Sequence, residues 1–314
     1  MYSRWTIKRF TDALQTAERV HSGYLTMSVH HFGETSVVRV TEQCGISFTP
    51  EELFPQWDRA LLEQHRGLMI PTCFDEAHGR FINSVHTWVL KTPKHVILID
   101  SCGGNHKNRP GMPQFHEQNL PFLDRLAEAG VTPEQVDYVC CTHLHVDHCG
   151  WNTMLRDGRW VPTFPNARYI FSKAEHDHWS GPGRTGIFAT IYEDSVLPVV
   201  ASGQADIVDG DGPVDNGLIL HATPGHSPGH VAVEFVDQGR RGLFGGDIMH
   251  QPLQVFRPEW NSVFCEDQVK ARASRRWFLE YAAEQRATVF TAHFAGSSAG
   301  LVGRQGDLFD WRFV

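Results

Sequence analysis

Apolar residues recur along this chain as short strand-length runs set between segments of helical period. Residues 36–40 (Ser-Val-Val-Arg-Val) predict a first strand, and residues 85–90 and 95–100 predict a hairpin about the turn Lys91-Thr92-Pro93-Lys94. Residues 136–141, 167–171, 217–222, 231–235, 241–246 and 287–292 carry the same apolar signature, and residues 309–313 predict an edge strand. Phe10, Ala13, Leu14, Ala17 and Val20 give a helical period inside residues 1–35, which read as an N-terminal extension. Leu120, Leu123, Leu126 and Ala127 predict a helix stopped by Gly130; Val269, Ala273, Trp277, Phe278, Tyr281 and Ala282 predict another. Thr49-Pro50-Glu51-Glu52 is a capping box, and Thr132-Pro133-Glu134-Gln135 and Ser172-Lys173-Ala174-Glu175 are further helix starts. The tract from residue 55 to about residue 80 has no strong period and reads as loop-rich, and the stretch between Ser180 and Gly217 opens on a Gly/Pro loop. Strands and helices alternate in both halves with no solenoid repeat, so the expectation is one α/β domain over residues 1–314.

One strand end stands out chemically. Directly after residues 136–141 comes Thr142-His143-Leu144-His145-Val146-Asp147-His148. On extended chain, residues two apart point the same way, so His143 and His145 can converge on one ion. Adjacent Asp147 and His148 can serve a second. Imidazole nitrogen with carboxylate oxygen suits zinc and similar divalent ions. A lone histidine near a strand end is usually a packing or surface residue; four such groups in six positions point to metal. Three later strands each end in a metal-capable residue: His226 in the turn Thr223-Pro224-Gly225-His226, Asp247 after Gly245-Gly246, and His293 after Thr291-Ala292. Ligands at the carboxyl ends of successive strands are what sites in α/β architectures use.

Composition narrows the partners. Lys plus Arg number 28 against 36 Asp plus Glu, a net charge of −8, which argues against nucleic acid. No run has signal-peptide or membrane-spanning character, so a cytoplasmic protein with no membrane partner is expected. The seven cysteines, odd in number and scattered, make a poor disulfide framework, and Cys149 beside His148 reads as packing.

The ordered set His143-x-His145-x-Asp147-His148, His226, Asp247 and His293 resembles the metallo-β-lactamase superfamily. That resemblance implies a four-layer αββα sandwich with two divalent metal ions, zinc expected, at the edge between two sheets. It implies His143, His145 and His226 on one ion, Asp147, His148 and His293 on the other, and Asp247 bridging both. The spacing from His226 to Asp247 to His293 is similar to that of quorum-quenching lactonases and methyl parathion hydrolase. Where those lactonases carry a tyrosine three residues after the bridging aspartate, this chain has His250, similar to the parathion hydrolase branch. The function implied is hydrolysis of a small-molecule lactone or activated ester by a hydroxide shared between the ions, with organophosphate triester hydrolysis as the alternative and β-lactamase or diiron redox activity as minor ones. Asp147 would orient the nucleophile and pass a proton to the leaving group; His250 would donate to the oxyanion if it faces the pocket. His230 reads as a residue behind the ligands, and related lactonases imply a homodimer.

Three other signals are rejected on physical grounds. Residues 181–186 match G-x-G-x-x-G but follow no buried strand, residues 296–300 match G-x-S-x-G but no histidine follows His293, and His176 and His178 diverge on a helix and are expected to face solvent.

Overall fold

Alternating residues of the central strands go to opposite faces and sort the chain into layers. The computed structural model describes residues 28–181, 184–214 and 217–314. The first sheet runs β1 (Val29–Phe32), β2 (Thr35–Ile46), β4 (Arg80–Lys91), β5 (Val96–Ile99), β6 (Tyr138–Cys140), β9 (Arg168–Ser172), β10 (Ala205–Val208), with β3 (Phe74–Asp75) paired to β4. β7 (Thr153–Arg156) and β8 (Arg159–Pro162) form a separate ribbon. The second sheet runs in chain order from β11 (Gly212–Pro213) through β12 (Ile219–Ala222), β13 (Val231–Asp237), β14 (Arg240–Phe244), β15 (Thr288–Phe290) and β16 (Ala299–Gln305) to the edge strand β17 (Leu308–Phe313).

Val38, Val40, Val89, Leu98 and Val139 face Phe122, Leu126, Ile191 and Val199 of the helices outside the first sheet. Their neighbours Val37, Trp88, Leu90, Ile97 and Ile99 face Leu220, Val233, Phe235, Phe244 and Phe290 of the second sheet. On that sheet's far side Ala232, Leu243, Val289 and Val302 pack on Phe278, Leu279 and Ala282 of the helix Gln268–Gln285. The order is therefore helix, sheet, sheet, helix, each sheet buried on both faces. The sheets also meet at one edge, where Ser84 N–H donates to His293 O (3.1 Å) beside a bridge between Asn83 and Phe294.

Several local expectations are met. Thr49 and Glu52 form the reciprocal capping box, β4 and β5 the antiparallel hairpin, and Gly130 follows the helix Phe122–Glu128 at φ +73. Other elements differ. β2 begins one residue earlier and runs to Ile46, and residues 29–32, placed in the extension, form its edge partner β1. The helical pattern of residues 10–20 lies outside the described residues. Residues 55–80 hold two helices, Arg59–Gln64 and Arg66–Met69, and the stretch before Gly217 holds Ile187–Ser195 and Leu197–Ala201. Val269 is 69% exposed rather than part of the packed helix face. No helix among the described residues is long and apolar enough to cross a membrane.

Candidate metal centre

Each strand end is held so that one ring nitrogen or carboxylate oxygen is left over. Asp100, at the end of β5, takes φ +60, and its carbonyl accepts from the Thr87 hydroxyl (2.6 Å). In that pose its carboxylate accepts the Thr142 N–H (2.7 Å) and meets His148 Nδ1 at 2.9 Å. This commits His148 Nδ1–H outward and leaves Nε2 facing the cluster. His293 does the same, with Nδ1 3.0 Å from Ser84 O; His143 Nδ1 lies 3.1 Å from Thr142 Oγ1. His145 is turned the other way: its Nδ1 sits 3.0 Å from His143 Nε2 and 2.8 Å from His226 Nε2.

Asp247 occupies the centre and divides its two oxygens. Oδ2 lies 3.2 Å from His226 Nε2, 3.3 Å from His250 Nε2 and 3.9 Å from His143 Nε2. Oδ1 lies 2.9 Å from His293 Nε2 and 3.2 Å from His148 Nε2. Asp147 stands on the Oδ1 side, 3.7 Å from both His148 Nε2 and His293 Nε2. Although buried, Asp247 Oδ1 and His148 Nε2 have no partner in hydrogen-bond geometry, so they are aimed at a common point rather than at each other. Four overlapping donor sets each have ligand atoms within 4.8 Å: His143, His145, His226; His143, His148, Asp247; Asp147, His148, His293; and His226, Asp247, His250. Buried polar atoms that lack hydrogen bonds but share a focus fit divalent cations.

Electrostatics separate the two sides. Burial, reinforced by the neighbouring imidazoles, holds His143 and His226 well below the usual histidine range, and burial lowers His145 as well. At His148 burial works against the charge, but Asp247, Asp100 and Asp147 outweigh it and raise the pKa well above that range. His293 is raised to about 8 by Asp247 and Asp147 against the same burial. For Asp247 burial favours the neutral acid, yet His293, His148, His226 and His250 hold it well below the usual carboxylate range. The shifts thus favour neutral imidazoles on the three-histidine side and protonated ones on the Asp147 side, where protons would compete with a cation.

A family model described as the metallo-beta-lactamase superfamily matches residues 81–293, which include every ligand candidate. The chain belongs to that superfamily. The layered sandwich is the superfamily's αββα fold, as expected from the sequence. The chain is 27% identical over 188 residues to an N-acyl homoserine lactonase of Bacillus cereus, a match covering 52% of this chain and 63% of that protein. It is 31% identical over 113 residues to the N-acyl homoserine lactonase AttM of Agrobacterium fabrum (strain C58 / ATCC 33970), covering 34% of this chain and 39% of AttM. The match thus spans less than two thirds of these curated relatives. Among solved structures, the hydrolase AbOPH superposes with a TM-score of 0.77 at 23% identity, covering 92% of this chain and 97% of that one. AidC, a dizinc quorum-quenching lactonase, gives 0.73 at 20% over the same shares. At these identities the likeness is one of fold.

Further residues surround the candidate ligands of this superfamily domain. Buried His230 accepts the Asp247 N–H on Nε2 (3.0 Å) and meets Thr223 Oγ1 through Nδ1 (2.8 Å), so it stands behind the ligands; burial drops its pKa to about 3, which keeps it neutral. His250 is buried and faces the cluster, with Phe264 packed 5.8 Å away on its other side. Trp179, stacked on Phe188, covers His145 from the opposite side (ring centroids 5.5 Å). Cys149 is buried, donates to His145 O (3.2 Å) and joins none of the donor sets. All seven cysteines are free. His176 corrects the expectation of a solvent-facing residue: its Nε2 meets the Tyr192 hydroxyl at 3.1 Å, because the helix Ile187–Ser195 packs on that side. Of the G-x-G-x-x-G match, Pro182 and Gly183 lie outside the described residues; the G-x-S-x-G match is the turn into β16, and no helix follows it. Glu42, without a recognisable motif, anchors the loop after Asp100 by accepting the Gly103 and Gly104 N–H groups (2.9 and 3.0 Å) and the Trp151 indole (2.7 Å).

Proposed function

We propose that the chain is a dinuclear metal-dependent hydrolase of small-molecule lactones or activated carboxylic esters. In this reading His143, His145 and His226 hold one ion, Asp147, His148 and His293 the other, and Asp247 bridges them. The observation that carries it is the division of Asp247, one oxygen facing each set of ligands. Two divalent ions there, zinc expected, would supply a Lewis-acid pair that lowers the pKa of a shared water and polarises the substrate oxygen. The protein's own groups do the rest. Asp147, fixed beside His148 and His293, orients the attacking water and carries a proton towards the leaving group. His250, neutral because burial lowers its pKa, stands beside Asp247 to donate to the developing oxyanion. The lactonase activity of the Bacillus relative supports the substrate class. We further read the chain as one hydrolase domain acting in the cytoplasm, as a homodimer, with no nucleic-acid or membrane partner.

Phosphotriester hydrolysis is the second reading, favoured by one observation: His250 presents an imidazole where a lactonase-type tyrosine would present a phenol. Turnover of an acyl-homoserine lactone, an aryl ester and a phosphotriester by the zinc-loaded protein separates the two. Lactone or ester turnover is expected; turnover of the phosphotriester alone would transfer the site to the second reading.

A further inference from the structure

Glu175 is buried in the helix Lys173–Ser180, where a carboxylate persists only if donors replace its water. Its sequence context reads as a helix cap, and Ser172 does accept the Glu175 N–H (3.2 Å). The Glu175 side chain, however, goes elsewhere. Oε1 accepts the Leu144 N–H (3.0 Å) and the Trp179 indole N–H; Oε2 accepts the Ser227 hydroxyl (2.7 Å) and the Gly229 N–H (2.9 Å). Leu144 lies between His143 and His145, and Ser227 follows His226. One carboxylate therefore ties together the two loops that supply the three imidazoles of a single donor set, and none of its four bonds is made to Asp147, His148 or His293. The approach is close: a Cβ on Gly229 would fall 2.0 Å from Glu175 N, so only glycine admits the helix this near to the loop.

We propose that Glu175 is a positioning residue that presets His143, His145 and His226 for a divalent cation and adds a nearby negative charge to their site, while leaving the site of Asp147, His148 and His293 unchanged. The proposal rests on the dinuclear reading above. Cobalt(II) is a suitable probe, because its visible absorption reports coordination and its titration gives stoichiometry and affinity for each ion.

In Glu175→Gln the amide nitrogen must face donors that now lack an acceptor, with little change in volume. The expected result is that one cobalt ion binds about 10–100-fold more weakly, the scale for losing an orienting partner behind a ligand, while the other keeps its wild-type affinity. The weakened ion should be the one lost in His226→Ala. Wild-type affinity for both ions in Glu175→Gln would overturn the proposal, as would equal weakening of both together with a lower melting temperature of the metal-free protein, the mark of a merely structural role. Should Glu175→Gln fail to fold, Ser227→Ala removes one of the four donors. It should weaken the same ion to a smaller degree, and unchanged binding at both sites would overturn the proposal. Wild-type protein that binds fewer than two cobalt ions would instead refute the dinuclear reading, so the two failures are distinguishable.

Discussion

Stripping the protein with a chelator and adding zinc back should resolve two loading steps by the protons they release. A ligand nitrogen must be deprotonated to bind a cation, so each proton held before loading is expelled. His143, His145 and His226 all have lowered pKa values and hold essentially none at pH 7. His293, raised to about 8, favours its protonated form at that pH, and His148 is shifted in the same direction, well above the usual histidine range. Zinc should therefore fill the three-histidine set first with little proton release, and the Asp147 set second with the larger release. Titration calorimetry in two buffers of different ionisation heat counts these protons directly. Below pH about 8 the second affinity should rise with pH, and the first should stay nearly flat. The same shift fixes a sign for the metal-free protein. Because the folded pKa of His293 lies above its unfolded value, its contribution of about 2 kcal/mol is complete below pH about 6.5 and disappears as pH rises through about 8. Equal proton counts for the two equivalents, or release confined to the first, would refute this account of the site.

Three further outcomes follow from the geometry. Asp247→Ala removes the carboxylate whose two oxygens face the two donor sets, so turnover should vanish and bound zinc should fall below two per chain by elemental analysis; full loading with retained activity would remove the bridging role. Asp100→Asn keeps a side chain tolerant of the left-handed φ but removes the charge behind His148, so affinity for the second zinc should drop about 10–100-fold in chelator competition while the first is unchanged. Phe278→Ala empties a fully buried position in the helix Gln268–Gln285, and denaturant unfolding should show a loss of about 3–5 kcal/mol; a loss below about 1 kcal/mol would mean that this helix is not the outer layer of the core.

The candidate ligands were legible because each stands in a local pattern: a strand, then a turn, then a side chain able to bind metal. The hairpin of β4 and β5 and the Thr49 capping box were legible for the same reason, since short-range geometry decides them. Glu42, Glu175 and Asp100 act through loops distant in the chain, so spacing alone gives their carboxylates no role. The helix Leu197–Ala201 was hidden because Leu197, Val199 and Val200 carry strand-like character, and packing at Val199 overrides that propensity. The helix Gln268–Gln285 shows the same override. Val269 is exposed while Arg275 is wholly buried, because its guanidinium donates to Ile248 O (2.8 Å) and Pro258 O (2.7 Å) beneath the loop that carries Asp247. A hydropathy pattern places an arginine outside; only the folded loop supplies the acceptors that let it in.

The most direct measurement is hydrolysis of a lactone by chelator-stripped protein as zinc is returned in sub-stoichiometric steps. If the seven side chains bind two ions that act together, activity should stay near zero through the first equivalent, rise through the second and then level off. Full activity after one equivalent, or in the stripped protein, would contradict the account.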